Sequence, residues 1–249
     1  MKKTIFSAAL AASLIFGTAA ADTVRIGTEG AYAPWNYLDD AGKLAGFEID
    51  LGNHLCKSAG LTCEFVANEW DSIIPNLIAG NYDVIMAGMS VTEERMMSIN
   101  FSADYYPPDP SVFAAAADTS VDFDNLSGVR IGVQGSTIQA GYAEENFGAN
   151  NTIVSYETAD QSVADLAAGN IDILLADNNF LGPIIDSSGG ALVITGPSVA
   201  IGGGVAAGMR KDDSELAEKL NAAIAAAKAD GSLDKLIKEY FDTGPFYGG

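Results

Sequence analysis

The amino-acid sequence predicts an α/β protein built from two similar lobes. Two motifs, each present twice, carry this prediction. The first, V-R-I-G-x-x-G, occupies residues 24–30 and 129–135, and the second, L-x-A-G-N-x-D, occupies residues 77–83 and 166–172. The first motif has the form of an apolar strand that runs into a glycine turn, and the second that of a helix end before a strand. Each copy alternates strands with helices, which is typical of sheets covered by helices on both faces.

Apolar periodicity predicts the elements of each copy in order. After its first strand, the first copy contains a hairpin, a helix, a strand and a helix, at residues 34–46, 47–58, 62–66 and 71–79. The second copy contains a helix, a strand and a helix, at residues 137–147, 152–155 and 160–168. The copies of the first motif start 105 residues apart and those of the second 89, and the hairpin accounts for the difference. Two helices end the chain, at residues 212–229 and 232–240.

Two segments rich in proline or glycine are the predicted crossings between the lobes. One has prolines at three of the positions 107–110, and the other has three successive glycines at 202–204. Segments of this composition often act as hinges. The predicted organisation is a first lobe from residues 22–107, a second lobe from 108–204, and a return to the first lobe at 205–249.

The N-terminus has the pattern of an export signal. Lys2 and Lys3 precede an apolar run at residues 5–16, and Ala19 and Ala21 fit the small-x-small cleavage site. The run is too short to span a bilayer as a mature helix, although an uncleaved anchor is the alternative. We therefore predict a signal peptide at residues 1–21 and an exported mature protein.

Cys56 and Cys63 are the two cysteines of the chain. In an oxidising compartment, a closely spaced even pair predicts a structural disulfide. The alternative is a redox or metal-binding pair, which usually has the tighter C-x-x-C spacing.

Composition and charge exclude several classes of function. The chain has 249 residues, with 13 Lys and Arg against 33 Asp and Glu, for a formal charge of −20. Such an acidic surface repels phosphate backbones, so a nucleic-acid partner is excluded, and it favours cationic ligands. One His and two Cys cannot form a zinc site, and neither a metal nor a cofactor is expected.

Polar and aromatic side chains follow the predicted strands at their carboxyl ends, where α/β sheets bind ligands. These candidates are Glu29, Tyr32, Trp70, Gly88, Ser90, Arg95, Ser136, Thr137 and Asp177, with Trp35, Ala87 and Met89 as possible additions. If the lobes face each other, one cation and two carboxylates meet in a single cleft. That set matches a zwitterion, because a guanidinium binds a carboxylate bidentately and a carboxylate takes an ammonium group. A second carboxylate then remains for a distal positive charge.

The sequence resembles the extracytoplasmic solute-binding proteins of ABC amino-acid importers over nearly all of the mature chain. Within them it is most similar to the lysine/arginine/ornithine- and histidine-binding proteins and to the octopine- and nopaline-binding proteins. The resemblance rests on Gly27-Thr28-Glu29-Gly30-Ala31-Tyr32-Ala33-Pro34-Trp35, Gly46-Phe47-Glu48-Ile49-Asp50-Leu51, Trp70-Asp71-Ser72-Ile73-Ile74-Pro75, Ser90-Val91-Thr92-Glu93-Glu94-Arg95 and Tyr240-Phe241.

The resemblance implies the type II periplasmic binding protein fold, in which two lobes, each a mixed sheet flanked by helices, close on a ligand in the cleft. It also implies the roles of the matching residues. Arg95 binds the α-carboxylate with Ser90 and Thr137, and Asp177 binds the α-ammonium group. Tyr32 and Trp70 sandwich the ligand side chain, and Glu29 faces its cationic end. The Cys56–Cys63 spacing fits the disulfide of that group.

Three features depart from the histidine-type members. Ala87-Gly88 stands in place of two serines, Ile138 stands where those proteins have Gln after the Thr, and the run 106–110 fits neither pattern. The smaller groups are nearer to the opine-binding proteins and leave room for a larger ligand.

The resemblance implies that the protein is the periplasmic substrate-binding component of an ABC transporter. It is expected to act as a monomer that captures a cationic amino acid, of the arginine, lysine, ornithine or histidine type, or an arginine-derived opine, and delivers it to the membrane permease. One alternative is a neutral or other polar amino acid as the ligand. The other is a cyclohexadienyl-dehydratase-like enzyme acting on prephenate or arogenate, with Glu29 as its acid or base.

Overall fold

The computed structural model describes residues 23–248, so the predicted signal peptide lies outside the described residues. The strands are β1 (Thr23–Thr28), β2 (Ala31–Tyr32), β3 (Asn36–Leu38), β4 (Leu44–Ala45), β5 (Thr62–Ala67), β6 (Val84–Ile85), β7 (Asn100–Phe101), β8 (Ser111–Ala116), β9 (Arg130–Gln134), β10 (Thr152–Tyr156), β11 (Ile173–Asp177), β12 (Leu192–Val199) and β13 (Gly208–Met209). The helices are α1 (Phe47–Ser58), α2 (Ile73–Ile78), α3 (Glu93–Ser98), α4 (Ile138–Phe147), α5 (Ala159–Ala167), α6 (Asn178–Ser187), α7 (Ser214–Ala229) and α8 (Ser232–Phe241). Within these residues no helix is both long and apolar enough to cross a bilayer.

Two five-stranded sheets form the two lobes. The first lobe has the strand order β5-β1-β6-β13-β7 and the second β10-β9-β11-β8-β12. In each sheet three neighbouring strands are parallel, and the other two strands are antiparallel to their neighbours. The predicted α/β class with two mixed, helix-flanked sheets is confirmed. Strand β13 follows the whole second sheet in the chain yet lies in the first, so the chain crosses between the lobes twice.

The two sequence motifs of each copy bind each other. In the first lobe, the Arg25 guanidinium donates to both carboxylate oxygens of Asp83, at 3.1 and 3.0 Å, and to the Gly80 carbonyl oxygen. Arg130 makes the same contacts with Asp172 and the Gly169 carbonyl oxygen in the second lobe. A guanidinium matches a carboxylate in this planar geometry. Each ion pair therefore joins the start of the first parallel strand to the turn before the third.

The glycine of each V-R-I-G motif packs against the residue between Asn and Asp of the L-x-A-G-N-x-D motif. A Cβ atom on Gly27 would lie 2.5 Å from the ring of Tyr82, and one on Gly132 would lie 2.3 Å from Cδ1 of Ile171. Both distances are well below van der Waals contact, so a side chain at either position would displace the residue above it. The motifs recur in sequence because the two lobes have the same packing.

The predicted hairpin at 34–46 is part of a larger element. Strands β2, β3 and β4 form a three-stranded antiparallel sheet that already begins at Ala31. The helix predicted at 71–79 starts as a single 3-10 turn at Trp70–Ser72 and becomes α-helical at Ile73. The other predicted helices and strands lie within two residues of their observed ends.

The predicted disulfide is confirmed: Cys56 near the end of α1 is bonded to Cys63 at the start of β5. Because a cross-link restricts the unfolded chain, replacing both cysteines by serine is expected to lower the free energy of unfolding by about 2–3 kcal/mol. For a chain of this size that corresponds to a melting temperature lower by about 5–10 °C, measured by circular dichroism. Reduction of the wild-type protein should produce the same loss, and an unchanged melting temperature would contradict the prediction.

Candidate functional site

A cavity lies between the two lobes, at the carboxyl ends of strands from both sheets. Eight of the nine predicted site residues line it, and so does Ala87. The eight are Glu29, Tyr32, Trp70, Gly88, Ser90, Arg95, Thr137 and Asp177. Parallel strands bring these residues together because their carboxyl ends meet at one edge of each sheet.

Three of the candidate residues do not line the cavity. Ser136 lies in a turn with a φ of 54°, and its carbonyl oxygen accepts a hydrogen bond from the Trp70 indole at 3.1 Å. Trp35 is 1% exposed and packs against the rings of Phe47, Tyr106 and Phe241. Met89 is fully buried in the core of the first lobe.

Arg95 projects from α3 over the face of Trp70. Thr92 caps the start of this helix, because its hydroxyl accepts a hydrogen bond from the backbone N–H of Arg95 at 3.1 Å. The guanidinium carbon lies 5.1 Å from the centre of the Trp70 ring, and Nη1 donates to the Ser90 carbonyl oxygen at 2.9 Å. Burial lowers the pKa of Arg95 to about 10, so the group stays charged at neutral pH. Among residues 23–248 it is the one arginine without an ion pair to another described residue.

Asp177 ends β11 and occupies the cap position of α6, but its side chain makes no capping hydrogen bond. The carboxylate accepts instead from the Tyr32 hydroxyl at 2.7 Å and from the Gln139 amide at 2.6 Å. Burial raises the pKa of Asp177 to about 6, against the opposing effects of the Tyr32 hydrogen bond and the Arg95 charge. The carboxylate is thus turned away from its own helix and toward the cavity.

Glu29 directly follows β1 and faces the second lobe across the cleft. Its Oε1 atom accepts a hydrogen bond from the Gln134 amide at 2.6 Å. Burial raises the pKa of Glu29 to about 7, which the Gln134 hydrogen bond opposes and the charges of Asp160 and Asp71 reinforce. No Lys, Arg or His among the described residues forms an ion pair with it. The site therefore contains a half-buried carboxyl group with no cationic partner among the described residues.

A buried carboxyl group supports the cavity floor at Gly88. The Gly88 N–H donates to both oxygens of Glu48, at 2.8 and 2.9 Å, and Asn36 and Tyr105 donate to the same carboxylate. Gly88 has a φ of +61°, a conformation that favours glycine. A side chain at this position would also meet the ring of Tyr32. The backbone conformation therefore favours glycine at this position of the cavity lining.

One face of the Tyr32 ring is already covered. It stacks on Phe180 with ring centres 4.5 Å apart and an angle of 6° between the planes. Because Phe180 belongs to α6 of the second lobe, this stack and the Trp70–Ser136 hydrogen bond both join the lobes.

Seven lining residues were not among the candidates, namely Gln134, Ile138, Gln139, Ala159, Ser162, Leu175 and Ala176. One of them had a signal in the sequence. Gln134 occupies the same place in the second V-R-I-G-x-x-G motif that Glu29 occupies in the first, and the two side chains are hydrogen-bonded to each other. The others are helix or strand residues whose orientation depends on how the lobes pack. The described residues contain no group of His, Cys, Asp and Glu side chains placed to hold a metal ion.

The chain is similar to proteins of a single family over nearly its whole length. Residues 24–243 match the family of bacterial extracellular solute-binding proteins, family 3. The chain is 38% identical to the lysine/arginine/ornithine-binding periplasmic protein of Escherichia coli K12, over 97% of this chain and 98% of the relative. It is also 38% identical to the octopine-binding periplasmic protein of Rhizobium meliloti, over 86% of this chain and 82% of the relative.

A solved structure shows the same fold. The periplasmic His/Glu/Gln/Arg/opine family-binding protein of Silicibacter pomeroyi, in complex with lysine, is 48% identical to this chain, with a TM-score of 0.82. The match covers 90% of this chain and 100% of that one. The predicted two-lobe fold of periplasmic binding proteins is therefore confirmed. The protein thus belongs to family 3 of the bacterial extracellular solute-binding proteins.

Proposed function

We propose that the protein captures a cationic amino acid, of the arginine, lysine or ornithine type, for an ABC transporter. The observation that carries the proposal is the placement of Arg95, Asp177 and Glu29 around one cavity, each without an ion-pair partner from the described residues. One half-buried cation and two half-buried carboxyl groups are complementary to a ligand with one carboxylate and two positive charges.

Each end of the ligand has a partner in this arrangement. Arg95 takes the α-carboxylate with the hydroxyl of Ser90, and Asp177 takes the α-ammonium group. The Thr137 hydroxyl joins the carboxylate when it exchanges its hydrogen bond to the Gln134 carbonyl oxygen for one to the ligand. The ligand side chain then passes beside the rings of Trp70 and Tyr32, which both line the cavity, because aromatic faces favour alkyl and cationic groups. Its distal cation meets Glu29, and Gln134 offers an amide beside that carboxyl group.

Closure of the two lobes over the ligand is the proposed mechanism. Arg95 and Glu29 belong to the first lobe and Asp177 to the second, so the site is complete only when both lobes meet. The proposed boundaries are 22–107, 108–204 and 205–249, with crossings near 107–110 and 202–204. Three hydrogen bonds already join the lobes beside the cavity, namely Glu29–Gln134, Tyr32–Asp177 and Trp70–Ser136.

The remaining roles follow from the family. We infer that residues 1–21 direct export to the periplasm, that the closed monomer docks to a membrane permease, and that the protein binds and releases its ligand without a chemical reaction. The periplasmic relatives and the family of solute-binding proteins support this inference.

A panel of ligands tests the proposed function. At a concentration one hundred times its dissociation constant, a ligand adds about 2.7 kcal/mol to the free energy of unfolding. Arginine, lysine or ornithine is therefore expected to raise the melting temperature by about 5–10 °C in differential scanning fluorimetry. Leucine and glutamate are expected to give no comparable shift.

The same panel contains the outcomes that contradict the proposal. A shift with glutamate or leucine alone would assign the protein to another ligand class. Turnover of prephenate or arogenate, followed by absorbance, would assign it to the dehydratase-like enzymes.

A further inference from the structure

The start of α6 is capped by a residue from outside the helix. The first two backbone N–H groups of the helix, those of Asn178 and Asn179, have no partner within it and need an external acceptor. Asn178 N–H donates to the Pro110 carbonyl oxygen at 2.9 Å, and Asn179 N–H donates to Asp109 Oδ2 at 3.0 Å. Both acceptors lie in the run 106–110, which crosses from the first lobe to the second.

This external cap explains the orientation of Asp177. An aspartate at a helix start ordinarily accepts a backbone N–H of the first turn. Asp177 does not, because Asp109 accepts the N–H of Asn179 in its place. The Asp177 carboxylate is therefore available to the cavity, where it accepts from Tyr32 and Gln139.

The crossing itself is held rigidly against α6. Prolines at 107, 108 and 110 restrict the backbone on both sides of Asp109. The Asn179 side-chain amide donates to the Tyr106 hydroxyl at 2.8 Å, so both ends of the run contact the helix. Asp109 is thus fixed in place relative to the start of α6.

Asp109 also brings a second negative charge close to Asp177. Burial, and after it the charge of Asp177, raise the pKa of Asp109 to about 7. Arg95 is the single cationic residue among those that line the cavity in the described part of the chain. A ligand with two carboxylates at its α end would pair one of them with Arg95 and leave the other beside Asp177, with the charge of Asp109 close to it.

We propose that Asp109 is a positioning and specificity-determining residue, which holds Asp177 toward the cavity and selects ligands with an unsubstituted α-ammonium group over N-carboxyalkyl amino acids. This inference rests on the proposed function. It also excludes the arginine-derived opines, which the sequence resemblance leaves open as ligands. In an opine such as octopine, the second carboxylate is attached next to the α-nitrogen, so it would lie beside Asp177, where the nearby charge of Asp109 adds to the repulsion.

Two variants separate the capping role from the charge. Asp109→Asn keeps an oxygen that accepts the Asn179 N–H and removes the charge, whereas Asp109→Ala removes both. Asp118→Asn is the matched control, because Asp118 is exposed beyond the far end of β8. Dissociation constants for arginine and octopine are measured by isothermal titration calorimetry at about pH 8, where the Asp109 carboxyl group is charged.

The wild-type protein and the control are expected to prefer arginine over octopine, by at least about a hundredfold. In Asp109→Asn the ratio of the dissociation constant for octopine to that for arginine should fall by about tenfold, because a charge that repels the second carboxylate has been removed. The affinity for arginine should change by less than about threefold, because the cap remains. Asp109→Ala should weaken arginine binding by about tenfold more than Asp109→Asn does, because the cap is lost. A purely structural role would leave the octopine-to-arginine ratio of Asp109→Asn unchanged.

Each contrary outcome identifies what has failed. If the wild-type protein binds arginine but shows no preference over octopine, or if Asp109→Asn keeps the wild-type ratio, the assignment of Asp109 is wrong while the proposed function stands. If the wild-type protein binds no cationic amino acid, the proposed function fails and this inference fails with it. Circular dichroism of both variants shows whether they are folded, and Asp109→Asn alone decides the charge effect if Asp109→Ala does not fold.

Discussion

Arg95→Ala is expected to weaken arginine binding by about a thousandfold or more. Arg95 is the single cationic residue that lines the cavity within residues 23–248, so no other described side chain can replace it as partner of the α-carboxylate. Leaving a ligand carboxylate unpaired in a buried site costs about 4 kcal/mol, which corresponds to roughly three powers of ten in the dissociation constant. Isothermal titration calorimetry measures the loss directly.

Two further variants show whether the effect comes from the guanidinium itself. Arg95→Lys keeps the charge but loses the planar pair of donors, so it should recover only part of the affinity. Lys235→Ala removes an exposed positive charge on α8 and should leave the affinity unchanged. If Arg95→Ala binds arginine as the wild-type protein does, Arg95 is not the carboxylate partner.

The repeated motifs carried most of the fold prediction. The repeats predicted two similar lobes. The structure shows why both motifs recur: within each lobe they bind each other, Arg25 with Asp83 and Arg130 with Asp172. The same repeat also contained the contact between Glu29 and Gln134, since both stand at the same place in the first motif. The contact itself depends on the two lobes facing each other at this point, which the repeat alone does not show.

Two of the candidates depended on information that local sequence does not contain. Trp35 is covered by Phe241, which belongs to the returning C-terminal helix, so its burial follows from the closing of the chain on itself. Ser136 lies beside Thr137 in sequence, but its backbone turn presents the carbonyl oxygen to Trp70. Strand ends predicted where the site lies, whereas tertiary packing decided which side chains enter it.

The proposed role of Asp109 could not be predicted from the sequence either. The prolines at 107–110 predict a crossing between the lobes, and the run 106–110 fits neither pattern of the related binding proteins. Its chemistry depends on the start of α6, about 70 residues later in the chain, where the Asn179 N–H needs an acceptor. A pairing between segments so far apart cannot be predicted from periodicity or composition.

Glu29→Gln is expected to separate cationic from neutral ligands. Removing the carboxylate leaves the distal cation of arginine buried without a partner, which should weaken binding by about 3 kcal/mol, or roughly a hundredfold. Glutamine has the same α-carboxylate and α-ammonium groups but no distal charge. The dissociation constant for glutamine should change by less than about threefold, because the side-chain amide of this ligand can hydrogen-bond to the amide of the variant as well as to the Glu29 carboxylate. Glu218→Gln, an exposed change on α7, is the matched control.

The raised pKa of Glu29 adds a dependence on pH with a definite sign. With a pKa of about 7, the Glu29 carboxyl group of the ligand-free protein takes up a proton as the pH falls below neutral. A bound cation favours the ionised form, so arginine binding must then release that proton, and the affinity should fall by up to about tenfold per pH unit below pH 7. Asp177, whose pKa is about 6, contributes to the binding of arginine and glutamine alike. The ratio of their dissociation constants therefore isolates Glu29.

Titrations between about pH 8 and pH 5.5 measure that ratio. In the wild-type protein the preference for arginine over glutamine should decline as the pH falls, and in Glu29→Gln it should be both small and independent of pH. Equal losses of arginine and glutamine affinity in Glu29→Gln would mean that Glu29 supports the cavity as a whole. In that case the negative charge at this end of the cleft would not select the ligand. Only Asp177 and Arg95 would then remain as charged partners, and because they bind groups that every α-amino acid has, they would not favour a cationic one.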